Sequence, residues 1–223
     1  MAKPIKPIVR AALQGRRLVE HPFYRRWEGG RLSFDELHEY ADQYRHFEAS
    51  LPVTLAAIAA ELEDGPIRAA VEANLADEVT PPSHLELFER FARHYGADGA
   101  APSEAMADLL DAYRSCLRDG TTAALAGVLA YEVQGADVAR TKADGLVTHY
   151  GAPEAATTFW RVHADVEDAH AQWLIDALDV ESEAAAAAGA SSVATAWWAF
   201  LDEREAAVAA CSPAADPRPL TSL

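Results

Sequence analysis

Apolar residues recur at helical spacing along most of the chain. Phe34, Leu37, Tyr40 and Tyr44 follow Ser33-Phe34-Asp35-Glu36, which has the form of a capping box. A helix is therefore predicted from there, across Pro52, to about residue 62. Gly65-Pro66 opens the next, carrying Ile67, Ala70, Val71, Ala73 and Leu75, and Pro81-Pro82 interrupts it. The period resumes over 83–95 through Leu85, Phe88 and Phe91, and Gly96 ends it. Pro102-Ser103 opens a helix to about residue 117. Thr121 or Thr122 is the expected cap of a long helix to Tyr150, Pro153 opens another to about residue 178, and the last covers 182–210. Near the start, 8–19 reads as one short helix broken at His21-Pro22. Residues 1–7 read as a loose arm and 212–223 as a frayed tail on a single domain, 1–223.

Composition agrees with this pattern. Alanine and leucine dominate, and β-branched residues are sparse, so the expected class is all-α, about seven helices in one bundle. A chain of 223 residues buries roughly two-thirds of its surface and folds without staples. Cys116 and Cys211 lie far apart, which excludes a disulfide framework and a cysteine-rich zinc site and fits a reducing cytoplasm. The first ten residues lack the apolar core of a signal peptide. The apolar run 123–131 is far shorter than the roughly 20 residues of a membrane span. With 35 acidic against 19 basic residues the formal charge is −16, so neither nucleic acid nor an anionic membrane is an expected partner.

The candidate chemistry is in the histidines and buried carboxylates. His163, Glu167 and His170 are spaced i, i+4, i+7 and fall within about 60° of one helix face. Glu132 closes an apolar run, so its carboxylate is expected to be buried and to need a cation. Only Lys142 among the three lysines lies in the folded body; Arg140 is the ordinary partner for Glu132 and a metal the sharper one. Glu78 and His84 are about 120° apart on a straight helix, but the intervening Pro81-Pro82 lets them turn toward one point. Glu48, two residues after His46, adds a further carboxylate. Mixed imidazole and carboxylate ligation suits iron or manganese, and six ligands suit two ions. Glu132, Glu167 and His163 are expected within about 5 Å of a common point. The plainer alternative is a non-catalytic interaction protein with solvated charged faces. Trp197, Trp198 and Phe200 on the last helix could pack in the core or in a homodimer, and the core is preferred.

These residues also carry a family resemblance. Tyr131-Glu132-x-Gln134, Ala139, Lys142, Gly145-Leu146 and Tyr150-Gly151, then His163-x-x-x-Glu167-x-x-His170, resemble the haem-oxygenase-like dimetal oxidases. His21-Pro22-Phe23-Tyr24-x-x-Trp27, Gln43-Tyr44-x-His46-Phe47 and Asn74-Leu75-x-Asp77-Glu78 precede them in the family's order. The resemblance covers roughly residues 18–178 and is nearest to the p-aminobenzoate synthase branch. It implies a seven-helix haem-oxygenase-like (TenA/PqqC-like) bundle with a non-haem diiron centre that activates O2. The implied ligands are Glu78, His84, Glu132, His163, Glu167 and His170, with Glu48 as an extra carboxylate seen in other branches. In the p-aminobenzoate branch a tyrosine and a lysine of the enzyme are consumed, and Tyr24, Tyr131 and Lys142 match those positions, whereas Phe159 replaces a further tyrosine. Lys142 lies about 15 Å beyond Glu132 along a straight helix, more than its side chain spans. The functional expectation is an O2-dependent oxidase of a small amino-acid-like or carboxylate substrate. A self-sacrificing p-aminobenzoate synthase and a metal-free TenA-like or PqqC-like protein stay open beside it.

Overall fold

The computed structural model describes the backbone of residues 3–177, 179–180 and 182–211, and their side chains except at 3, 166–169, 176–180 and 208–211. The helices are α1 (Ile5–Ala12), α2 (Pro22–Glu28), α3 (Phe34–Glu61), α4 (Pro66–Val79), α5 (His84–His94), α6 (Glu104–Arg118), α7 (Thr121–Tyr150), α8 (Glu154–Ala177) and α9 (Glu183–Cys211). The described residues thus form nine helices where seven are expected.

The differences lie near the start of the chain. His21-Pro22 opens a helix instead of only ending one. Proline at the first helical position lacks an N–H that would go unpaired there anyway, and His21 Nδ1 accepts the Phe23 N–H at 3.1 Å. The helix predicted over 8–19 begins earlier and stops at Ala12, and one 3₁₀ turn, Leu18–Glu20, follows. Part of the expected loose arm is built into the fold: Lys3–Pro4 pairs antiparallel with Asp179–Val180, and Ile5 is buried. The predicted tail, 212–223, lies outside the described residues.

Local signals explain most of the other boundaries. Ser33 and Ser83 both form capping boxes, with Glu36 and Glu86 as the reciprocal partners. Pro52 is accommodated inside α3. The N-cap of the long helix α7 lies one residue before the first expected threonine: Gly120 takes a positive φ of 111° and caps without a side chain, so the helix begins at Thr121.

Helix α7 runs through the middle of the bundle and packs against α8 and α9, and its residues 123–132 are all buried. By length and composition α9 could cross a membrane. It is nevertheless a packed element: Ala186, Ala190, Val193, Trp197, Phe200 and Leu201 are buried, which agrees with the core reading of its aromatic residues. Trp198 sets its ring edge-on to His21, with centroids 4.6 Å apart. Helices α7 and α9 touch at Gly189, where a Cβ would run into the backbone of Ala123. Backbone cannot step aside as a flexible side chain can. Gly189→Ala is therefore expected to destabilise the fold by about 1–3 kcal/mol, read as a lower thermal midpoint.

Candidate metal centre

Five helices send polar side chains into the bundle interior. Glu48 comes from α3, Glu78 from α4, His84 from α5, Glu132 from α7, and His163 and His170 from α8, and all six are buried. They form two groups. In the first, ligand atoms of Glu78, His84 and His163 lie within 4.8 Å of one another. His84 Nδ1 is 3.0 Å from Glu78 Oε1, and the His84 and His163 rings are 4.3 Å apart. In the second, His170 Nδ1 lies 3.8 Å from Glu132 Oε2. His163 thus sits with Glu78 and His84. The side chain of Glu167 lies outside the described residues.

The hydrogen bonds show which atoms are left over. His163 Nδ1 pairs with the Phe159 carbonyl at 2.9 Å, so Nδ1 carries the proton and Nε2 is the atom with a lone pair. Burial, then His84, holds the His163 pKa well below its ordinary value, which keeps the ring neutral as a ligand must be. Glu48 Oε2, Glu78 Oε2, Glu132 Oε2, His84 Nδ1 and His170 Nδ1 are buried without a hydrogen-bond partner among the described residues. At 3.0 Å, His84 and Glu78 are close but not aligned for a hydrogen bond, so proximity alone does not satisfy them. Burial, then the charge of Glu78, pushes the Glu48 carboxyl well above the usual carboxylate range. Buried lone pairs on three carboxylates and two imidazoles without hydrogen-bond partners are what a cation site offers and what a core otherwise avoids. The residues present fit iron.

Beside this centre lies a cage of rings. Lys142 is fully buried, and its Nζ sits 4.0 Å from the Trp160 ring, 4.5 Å from Tyr44, 4.6 Å from Tyr24 and 4.9 Å from Tyr40. Nζ donates to Tyr40 Oη at 2.5 Å, and the Tyr40 and Tyr24 hydroxyls are 2.9 Å apart. Burial raises the pKa of Tyr24, Tyr40 and Tyr44 above the ordinary phenol value, so all three remain neutral at pH 7. Tyr131 joins one ring further on, through a short hydroxyl–hydroxyl bond to Tyr44.

The axial gap between Lys142 and Glu132 does not isolate the lysine, because α3 bridges it. Tyr40, Tyr44 and Glu48 recur every four residues on one face of α3. They form a ladder whose first rung binds Lys142 and whose last rung is Glu48, a carboxyl that burial and then the charge of Glu78 push up and that Tyr44 and Lys142 pull down.

A family model described as an iron-containing redox enzyme matches residues 38–204. The chain belongs to that family. This iron-containing redox enzyme is 33% identical over 219 residues to a 4-aminobenzoate synthase of Nitrosomonas europaea, covering 88% of this chain and 89% of that one. It is 31% identical over 205 residues to a 4-aminobenzoate synthase of Chlamydia muridarum, with 86% of each covered. Its fold is also that of a CADD-like protein of unknown function from Nostoc punctiforme, with a TM-score of 0.73 at 18% identity over 91% of this chain and 97% of that one.

Some residues of the enzyme's site are not apparent from sequence. Tyr40 and Tyr44 fit the apolar period of α3 so well that they read as core. Asn74 and Asp77 were visible only as neighbours of Glu78 in a motif. In the structure Asn74 Nδ2 donates to Glu132 Oε1 at 3.2 Å, and Asp77 Oδ2 accepts from His170 Nε2 at 3.1 Å. His46 turns outward instead and pairs with the Ala100 carbonyl at 2.9 Å.

Proposed function

We propose that the enzyme is a cytoplasmic, O2-dependent diiron oxidase that forms 4-aminobenzoate from its own side chains. The observation that carries the reading is the enclosed Lys142 amine, hydrogen-bonded to one tyrosine and packed against the ring of another. Support comes also from the relatives named for this product.

The product itself defines what is needed. 4-Aminobenzoate has a six-membered ring, one further carbon and a para nitrogen. A tyrosine ring with its Cβ supplies seven carbons, and a lysine supplies the amine. We assign Tyr24 as the ring donor and Lys142 as the nitrogen donor. Tyr131, matched to the same role by sequence, is the less favoured carbon source because its hydroxyl bonds to Tyr44, whereas the Lys142 amine lies against the Tyr24 ring.

Glu78, His84 and His163 would hold one iron ion and Glu132, His170 and Glu167 the other, with Glu48 as a further buried carboxylate. Iron so held supplies the means of activating O2 for oxidation of carbon–carbon and carbon–nitrogen bonds. The protein's part is placement. Tyr40 accepts from Nζ and so aims the amine at the neighbouring rings. Trp27 donates to the Lys142 carbonyl at 3.3 Å and pins that turn of α7. The aromatic walls keep out water that would intercept reactive species.

The test is direct. Iron(II), O2 and a chemical reductant, with no organic substrate, should release 4-aminobenzoate at less than one per chain. Intact mass should change at Lys142 and Tyr24. Many turnovers on an added small molecule, with both residues unchanged, would reject self-consumption and leave a conventional oxidase.

A further inference from the structure

One turn of α4 touches the candidate ligands of three other helices. Asn74, Asp77 and Glu78 are spaced i, i+3, i+4 and share one helix face. Asn74 holds Glu132 of α7, Asp77 holds His170 of α8, and Glu78 lies against His84 of α5.

We propose that Asn74 and Asp77 are positioning residues that select which atoms of Glu132 and His170 face the iron. The inference rests on the two-ion reading above. The hydrogen bonds themselves argue for it. A carboxylate accepts and cannot donate, so Asp77 requires the proton of His170 on Nε2. That fixes the tautomer and leaves the Nδ1 lone pair directed at Glu132, where Nδ1 is buried with no other partner among the described residues. Asn74 acts in the same way on the carboxylate. Its amide nitrogen, not its oxygen, must face Glu132 Oε1, because two acceptors would repel. The bond occupies Oε1 and leaves Oε2 as the atom available to a cation. Outer partners of this kind set ligand basicity and ring orientation. Asp77 is suited to the task without being a ligand: its side chain is 47% exposed, so it reaches His170 from the solvent side while Nδ1 faces inward. In the other group a backbone carbonyl sets the His163 tautomer.

The consequence is selective. Asp77→Ala should weaken one of two iron equivalents by roughly 10–100-fold in a titration, while the other binds as before. Asn74→Ala should weaken the same equivalent. Asp77→Asn retains an acceptor oxygen and should restore most of the affinity. A second measurement does not involve iron. In the metal-free protein, nitrogen NMR of the histidines should show His170 protonated on Nε2, and Asp77→Ala should turn this into a mixture of tautomers. Wild-type His170 protonated on Nδ1, or undiminished binding of both equivalents by Asp77→Ala, would overturn the proposal. If the wild type binds a single equivalent, the two-ion reading fails, and the tautomer measurement still decides the role of Asp77.

Discussion

Lys142→Arg is expected to yield a folded, iron-loaded chain that releases no 4-aminobenzoate. The guanidinium stays protonated at any accessible pH and has no single amine to transfer. The substitution keeps a cationic head among the Trp160, Tyr44 and Tyr24 rings. It also inserts a larger, planar group into a closed cage, which should cost about 1–3 kcal/mol. At about 2–4 °C per kcal/mol for a chain of this size, the thermal midpoint should fall by a few degrees while the protein stays folded at 25 °C. Iron content per chain should match the wild type, because Lys142 is on the ligand list of neither group. Product is read by chromatography after exposure to O2. Wild-type yield from this variant would remove Lys142 as the nitrogen source.

Glu78→Gln is expected to act in opposite directions with and without iron. With iron, the group of Glu78, His84 and His163 loses its only carboxylate among the described residues. Iron bound there should drop by more than the 10–100-fold typical of losing an outer partner, as measured by metal analysis. Without iron, the same variant should melt higher at pH 7. Burial and then Glu78 raise the Glu48 pKa, so the folded chain holds a proton that the unfolded chain releases above its ordinary value of 4.5. Stability from this group is full below pH 4.5 and is lost as pH rises toward the raised value. Removing the Glu78 charge lowers the Glu48 pKa and recovers part of that loss, at about 1.4 kcal/mol per unit. His163 acts from the acid side: its lowered pKa withdraws stability as pH falls through 6.5. The gain from Glu78→Gln should therefore be clearest at pH 7 and above. A metal-free variant that melts no higher than the wild type would show that the carboxylates do not burden one another.

Much of this fold and part of its site could be read from residue order. The capping box at Ser33 and the glycine and proline punctuation place α3 to α9 closely, because those signals act locally. Helix α2 was less legible, since seven residues offer too little periodicity to stand out. The stripe of candidate ligands on α8 was visible through its spacing. The contacts that give the site its character were not, because they cross between helices. Tyr40 and Tyr44 follow a core pattern and are core residues; only their hydroxyls reveal a second role. Lys142 looked remote because distance was measured along α7, whereas the path to the metal ligands runs across to α3.

The bond from Lys142 to Tyr40 also bears on the life of the molecule after it has worked. On the proposed reading, a chain that had given up that nitrogen and the Tyr24 ring would keep the Tyr40 phenol deep inside the protein with both of its hydroxyl partners gone. Leaving a buried polar group in that condition costs about 1–3 kcal/mol, a sizeable share of the few kcal/mol that hold a domain together. If Lys142 is consumed as proposed, used chains would then be the ones that open most often, and proteases act on opened chains. The same contact that readies the amine for reaction would mark the spent protein for disposal.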